Sequence, residues 1–305
     1  MKISLIIPCY NEAENIFPFY ELCKNNFGEL EKRVEYIFVN DGSSDTTYEE
    51  IKRLINQKCA NIIGLNFSRN FGKEAAILAG LNRCTGDFVT IIDADLQQHP
   101  KYVVQMISFL ENNPTYDCVA CYQEKRKESV VLTSVKKIFY RLINAISEVN
   151  FEENASDFRT FRKNMVKAIL ELKEYYRFSK GIFSWVGFNT YYMPYEVERR
   201  AFGRTSWSFR KLVRYAVDGF AGFSTVPLKI ATWVGSISFL LSIIYFIVVL
   251  IEKLTQGISI SGYATIVCLI LLMGGGADDA FRNYWRISCT YIYGGKKKTC
   301  IYIKK

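Results

Sequence analysis

Phe88-Val89-Thr90-Ile91-Ile92-Asp93-Ala94-Asp95-Leu96-Gln97 is the stretch on which the reading of the fold turns. Its first five residues are β-branched or aromatic without a break, the pattern of a strand buried on both faces of a mostly parallel sheet. Polarity then switches at Asp93, so the strand ends where the acidic residues begin. Working outward, residues 2–9, 34–40 and 61–66 repeat the design of an apolar run closed by a polar cluster. Residues 14–26, 46–57 and 74–84 lie between these runs and have helical length and pattern. Alternation of this kind predicts an α/β domain with right-handed βαβ crossovers, and it puts ligands beyond the carboxyl ends of the strands.

The clusters at those ends carry chemistry. Asp93 and Asp95 flank one residue, so both carboxylates can approach a single hard cation, Mg2+ or Mn2+, that bridges the phosphates of a nucleotide diphosphate. Two solvated aspartates at a strand end are the plain alternative; three further polar clusters on the same edge favour the metal. Asp41 follows the second run directly and can accept hydrogen bonds from a base or ribose, while Asp45 is expected to cap the next helix. Lys73 opens a helix after Gly72, where its ammonium and the helix amino terminus both favour a phosphate. A solvated lysine is the alternative there. His99 stands near the triplet and reads better as a helix-start residue than as a ligand. Cys118 and Cys121 form a lone C-x-x-C inside an apparent buried strand, 117–123, with no second pair at zinc spacing.

Composition sets the outer bounds. The 305 residues are 50% hydrophobic and 23% charged, enough for a sizeable core, which argues against disorder. The formal charge of +9 suits an anionic partner without saying whether it is nucleic acid, lipid headgroup or phosphorylated metabolite. Nine scattered cysteines, with no cleavable leader ahead of the first strand, fit a reducing compartment better than a disulfide framework. Residues 230–251 are 22 positions without a charge, long enough to cross a hydrocarbon core. A second uncharged stretch at 258–277 is diluted by Gly262 and Gly274-Gly275-Gly276. A transmembrane hairpin is expected, and basic residues on both flanks, Arg199 to Lys229 and Arg282 to Lys305, put the flanks in the cytoplasm. Residues 207–223 have the spacing of an interfacial helix, with Arg210, Lys211 and Arg214 on its cationic side.

Taken together, Pro8-Cys9-Tyr10-Asn11-Glu12, Asn40-Asp41-Gly42-Ser43-Ser44-Asp45, Arg69-Asn70-Phe71-Gly72-Lys73-Glu74 and Asp93-Ala94-Asp95-Leu96-Gln97 resemble the family-two glycosyltransferases of GT-A fold. Ser156-Asp157-Phe158-Arg159, the segment 177–188, Arg199-Arg200-Ala201-Phe202-Gly203-Arg204 and Asp218-Gly219-Phe220 narrow the likeness to polyprenyl-phosphate glycosyltransferases, the group of bactoprenol glucosyltransferase and dolichol-phosphate mannose synthase. The resemblance implies a UDP-sugar donor, commonly of glucose, undecaprenyl phosphate as acceptor, a divalent metal and inversion at the anomeric carbon. It implies that Pro8, Tyr10, Glu12, Asp41 and Lys73 hold the nucleotide, that Asp93 and Asp95 bind metal and diphosphate, and that Asp157 and Asp95 serve catalysis. Arg200 matches the arginine that takes the acceptor phosphate, with an anionic-lipid patch as its alternative.

On this reading residues 1–100 form the donor half of the domain, 101–206 the acceptor half, 207–226 an interfacial helix, 227–277 the membrane hairpin and 278–305 a basic cytoplasmic tail. A bacterial inner-membrane, multi-pass protein with a cytoplasmic catalytic domain is implied. Membrane lipids are then partners and nucleic acid is not, and the glycines of the second span suit a homo-oligomer. Phe178, Phe183 and Trp185 either line a lipid path or pack in the core. The sequence departs from the family at Asp278-Asp279, for which the residues offer no function. A processive polysaccharide synthase would share the nucleotide motifs but needs more spans and a Q-x-x-R-W motif that is absent here. A non-catalytic membrane scaffold would not require the intact triplet and Lys73.

Overall fold

The computed structural model describes residues 1–57, 61–123, 155–172 and 179–198, together with single helical positions between 233 and 284. Seven strands form one sheet: β1 (Ile3–Cys9), β2 (Val34–Asn40), β3 (Asn61–Asn66), β4 (Phe88–Ile91), β5 (Cys118–Gln123), β6 (Ala155–Arg162) and β7 (Thr190–Tyr195). Their order is β3-β2-β1-β4-β6-β5-β7. β1, β2, β3 and β4 run parallel, as their unbroken apolar runs require, because helices cover both faces. β6 is the exception and runs antiparallel between β4 and β5. The α/β architecture with a mostly parallel sheet is therefore observed, with one reversed central strand.

The helices are α1 (Ile16–Phe27), α2 (Thr47–Asn56), α3 (Lys73–Arg83), α4 (Lys101–Asn112), α5 (Lys163–Glu171) and α6 (Ser179–Trp185). Strand alternation sorts the core into two faces. Ile3, Leu5 and Ile7 of β1 join Phe19, Tyr20, Ile51, Val103 and Met106 under α1, α2 and α4. Ile6, between them in sequence, joins Ile77, Leu81, Met165, Ile169 and Phe183 under α3, α5 and α6. β6 feeds both, sending Phe158 to the first face and Phe161 to the second. Each fully buried side chain of this size contributes roughly 1.5–3 kcal/mol, so the layers are held mainly by apolar burial.

The strand read over 117–123 is β5. Cys118 and Cys121 are buried on β5, and burial pushes their thiols up to about 11 and about 12. Thiolate chemistry is thus suppressed at both. Phe183 is a core residue, 4.9 Å from the Phe161 ring, whereas Trp185 is exposed. Phe178, the interfacial helix over 207–223, the spans over 230–251 and 258–277, and Asp278 and Asp279 fall outside the described residues, apart from scattered helical positions. Among the described residues no helix is long and apolar enough to cross a membrane.

Candidate active site

Every polar cluster picked from the sequence sits at the carboxyl edge of β1 to β4, and the loops that carry them are sewn to one another. Asn11, after β1, has φ 56° and donates its N–H to Ser43 Oγ at 2.9 Å, while its own Oδ1 accepts the Ser44 N–H. The Glu12 N–H reaches Thr47 Oγ1 at 2.9 Å. Asp45 Oδ1 accepts the Thr47 N–H, so Asp45 does bind the first turn of α2, although from one residue ahead of the cap position. Gly42 has φ 61°, and a Cβ there would lie 2.2 Å from the Arg69 carbonyl carbon. Only glycine lets the second loop lie against the third.

Asp41 is 3% exposed, and its two carboxylate oxygens accept the N–H groups of Phe71 at 2.7 Å and Gly72 at 2.9 Å. Burial raises its pKa, and those two N–H donors work against the rise. Its observed work is to hold the loop that leads into Lys73, which leaves lone pairs for a ligand. Pro8 lies two residues beyond the portion of β1 that pairs with β4, which stops at Ile6 and Ile91, so its missing N–H costs no ladder bond there. Tyr10 is exposed beside this rim.

The centre of the site follows from the register of β6. Ile91 pairs with Arg159 in an antiparallel ladder, so two residues further on, beyond the ladder, Asp93 comes opposite Asp157. Lys73, the first residue of α3, reaches both. Its Nζ lies 2.7 Å from Asp93 Oδ1, 2.9 Å from Asp93 Oδ2 and 3.4 Å from Asp157 Oδ2. Burial by itself would push the ammonium down, but Asp93 and Asp157 together carry it well above its ordinary value. Lys73 thus bridges two carboxylates, Asp157 on β6 and Asp93 just after β4. Asp95 sits two residues on, its Oδ1 accepting the Gln97 N–H at 3.2 Å.

The donors are hard oxygens, and an ammonium already occupies the space between two of them, so the chemistry fits Mg2+ or Mn2+. Among the described residues no three acidic, imidazole or thiol groups converge on one point. A cation here would complete its shell from a ligand's phosphates, which is how magnesium is commonly held.

Two features escaped the sequence reading. Gln98 is buried with its amide on Asp93, and only its place after the triplet hinted at it. Glu74, next to Lys73, accepts both the N–H and the hydroxyl of Ser179, so it caps α6 across 105 residues of sequence. No local signal announces that contact. His99 is a helix-start residue, its Nδ1 accepting the Lys101 N–H at 3.1 Å. The Glu198 N–H donates to the Gln97 carbonyl at 3.1 Å, tying the segment after β7 to the triplet loop. Arg200, two residues later in sequence, lies outside the described residues.

The chain is similar in sequence to known proteins. The model of glycosyl transferase family 2 matches residues 4–170. A putative glycosyltransferase, CsbB, of Bacillus subtilis (strain 168) is 40% identical over 274 residues, 90% of this chain and 82% of that protein. A prophage bactoprenol glucosyl transferase homolog of Escherichia coli (strain K12) is 35% identical, covering 90% and 89%. The bactoprenol glucosyl transferase of Shigella phage SfX is 36% identical, covering 90% of each.

Proposed function

The chain belongs to glycosyl transferase family 2, and from that membership we propose that it moves one sugar, glucose, from UDP to undecaprenyl phosphate at the cytoplasmic face of a bacterial inner membrane. The observation that carries this reading is the cluster of Lys73, Asp93 and Asp157 at the carboxyl edge of the sheet, with Asp95 beside it. The names of two relatives, bactoprenol glucosyl transferases, support the lipid acceptor and the sugar. The product is a lipid-linked sugar for modifying surface glycans, formed with inversion.

In this scheme residues 1–100 receive the donor and 101–206 the acceptor. Pro8, Tyr10, Glu12 and Asp41 line the nucleotide's place at the ends of β1 and β2. Asp93 and Asp95 hold Mg2+ or Mn2+, which when bound supplies positive charge to the diphosphate. Lys73 leaves its two aspartates to meet phosphate oxygens and stabilises the departing UDP. A phosphate monoester has a second pKa of about 6, so near neutral pH the acceptor oxygen is already largely anionic. Asp157 therefore orients the reactants more than it removes a proton. Arg200 takes the acceptor phosphate, because two polyanions approach each other only with cations between them.

The hydropathy of residues 230–251 and 258–277 supports a two-span anchor. Trp233, Ile237, Leu241, Ile244 and Val248 are helical and between 46% and 70% exposed, which suits contact with lipid tails better than with water. The test is incubation of membranes carrying the full chain with radiolabelled UDP-sugars, followed by thin-layer chromatography. A chloroform-soluble, mild-acid-labile product from UDP-glucose is expected. Polymer, or no lipid product with any donor, overturns the reading.

A further inference from the structure

We propose that Gln98 is a positioning residue that clasps the acidic-triplet loop and fixes the Asp93 carboxylate for the metal–diphosphate, an inference that rests on the function proposed above. Gln98 is 7% exposed, and a glutamine is rarely buried so fully unless its amide is satisfied. Both ends of that amide go to one residue. Oε1 accepts the Asp93 N–H at 3.0 Å, and Nε2 donates to Asp93 Oδ2 at 3.1 Å. The two bonds assign the amide's orientation without ambiguity, since the N–H needs an acceptor and the carboxylate needs a donor.

The clasp closes a loop whose middle is strained. Leu96 has φ 62°, a left-handed conformation that a leucine seldom adopts and that surrounding structure has to impose. Residues 93 and 98 are the two ends of this turn, so the amide that joins them holds Leu96 in place and sets the angle from which Asp95 leaves the chain. Asp93 also meets Lys73 through both oxygens. With the ammonium on both oxygens and the Gln98 amide sharing Oδ2, the Asp93 carboxylate has one orientation. When Lys73 turns to a phosphate, Gln98 is the contact that remains. Asp93 is then already aimed, and no rotamer freedom has to be lost as the cation arrives.

The experiment uses the full chain in detergent with Gln98→Met, which keeps the volume and removes both hydrogen bonds. Gln98→Asn serves as a second variant, polar but one methylene too short to reach both atoms. Mn2+ is titrated in the presence of UDP and the free ion followed by electron paramagnetic resonance, alongside thermal unfolding and separate KM values for donor and acceptor. The expected result is Mn2+ binding weakened about 10-fold or more, with a matching rise in donor KM and an unchanged acceptor KM. Wild-type Mn2+ affinity in both variants, whatever the melting temperature does, overturns the clasp while leaving the enzyme's proposed function intact. A wild-type chain that shows no UDP-dependent Mn2+ binding overturns the parent reading instead.

Discussion

The two ends of the sheet carry the same chemical motif, a lysine against carboxylate, buried at one end and part-exposed at the other, and use it for opposite purposes. At the amino end Glu35 of β2 is 2% exposed at its side chain, and its Oε2 meets Lys2 Nζ at 2.7 Å. Ser4 Oγ at 2.5 Å, the Thr85 N–H at 2.6 Å and the Thr85 hydroxyl supply further donors. Burial would raise the Glu35 pKa, yet Lys2, Ser4 and Thr85 together bring it down to about 2. One negative charge there is matched by one positive charge and a full set of hydrogen bonds, all from this chain. At the carboxyl end one lysine faces two aspartates, with a third alongside. A cation or a phosphate arriving there would change which group the lysine meets. A lysine shared between part-exposed acids at a ligand-facing rim is the mark of a site, whereas an ion pair on a carboxylate enclosed in the interior is the mark of a lock.

The largest effect should come from breaking the cluster at the carboxyl end. Asp95→Ala is expected to lower lipid-linked sugar formation about 1,000-fold or more, measured as chloroform-soluble label, with membrane insertion unchanged. Lys73→Met should cost about 100-fold in the same assay, because a single positioned charge on the leaving group is worth about that much. Gly42→Ala tests the sewing of the loops. Its Cβ would meet Arg69 and Asn70 backbone at 2.2 and 2.5 Å with φ 61°, so a rise of about 10-fold in donor KM is expected, with the acceptor KM unmoved.

The smallest effect on activity should come from the amino end. Glu35→Gln keeps some hydrogen bonds but loses the ion pair, and is expected to cost about 2 kcal/mol of stability with transfer unchanged within about twofold. Its pH signature follows from the sign of the shift. A carboxyl whose folded pKa lies below its ordinary 4.5 contributes fully above that pH and loses its contribution as pH falls through about 2. Melting curves of wild type and Glu35→Gln should therefore converge as the pH drops across that window. An equal gap at every pH would mean that packing, and not the charge, is what Glu35 provides.

The donor half was the most legible part of the chain. β1, β2 and β3 match the apolar runs to within a residue, because strands buried on both faces advertise themselves as unbroken hydrophobic stretches. β4 ends at Ile91, two residues short of the run read to Asp93, and the polar clusters that close the four runs are what single out Asp41, Lys73, Asp93 and Asp95 as candidates. β6 stayed hidden because Asp157, Arg159 and Arg162 interrupt its pattern. Arg159 is nonetheless 4% exposed, its guanidinium on the Ser156 carbonyl and over the Phe183 ring. β7 was missed for a related reason: it is an edge strand of tyrosines with Pro194 inside it, whose half-exposed face gives a weak signal. The Asp93–Lys73–Asp157 cluster could not be read locally at all. It depends on the reversed register of β6, and no spacing in a sequence states which strand will lie beside which.

The most direct test of a cluster completed by a metal–diphosphate is titration calorimetry of UDP into the full chain in detergent. Binding is expected with Mn2+ present and should be lost with chelator, and Asp95→Ala should bind in neither condition. UDP binding of equal strength with Mn2+ and with chelator would contradict the account.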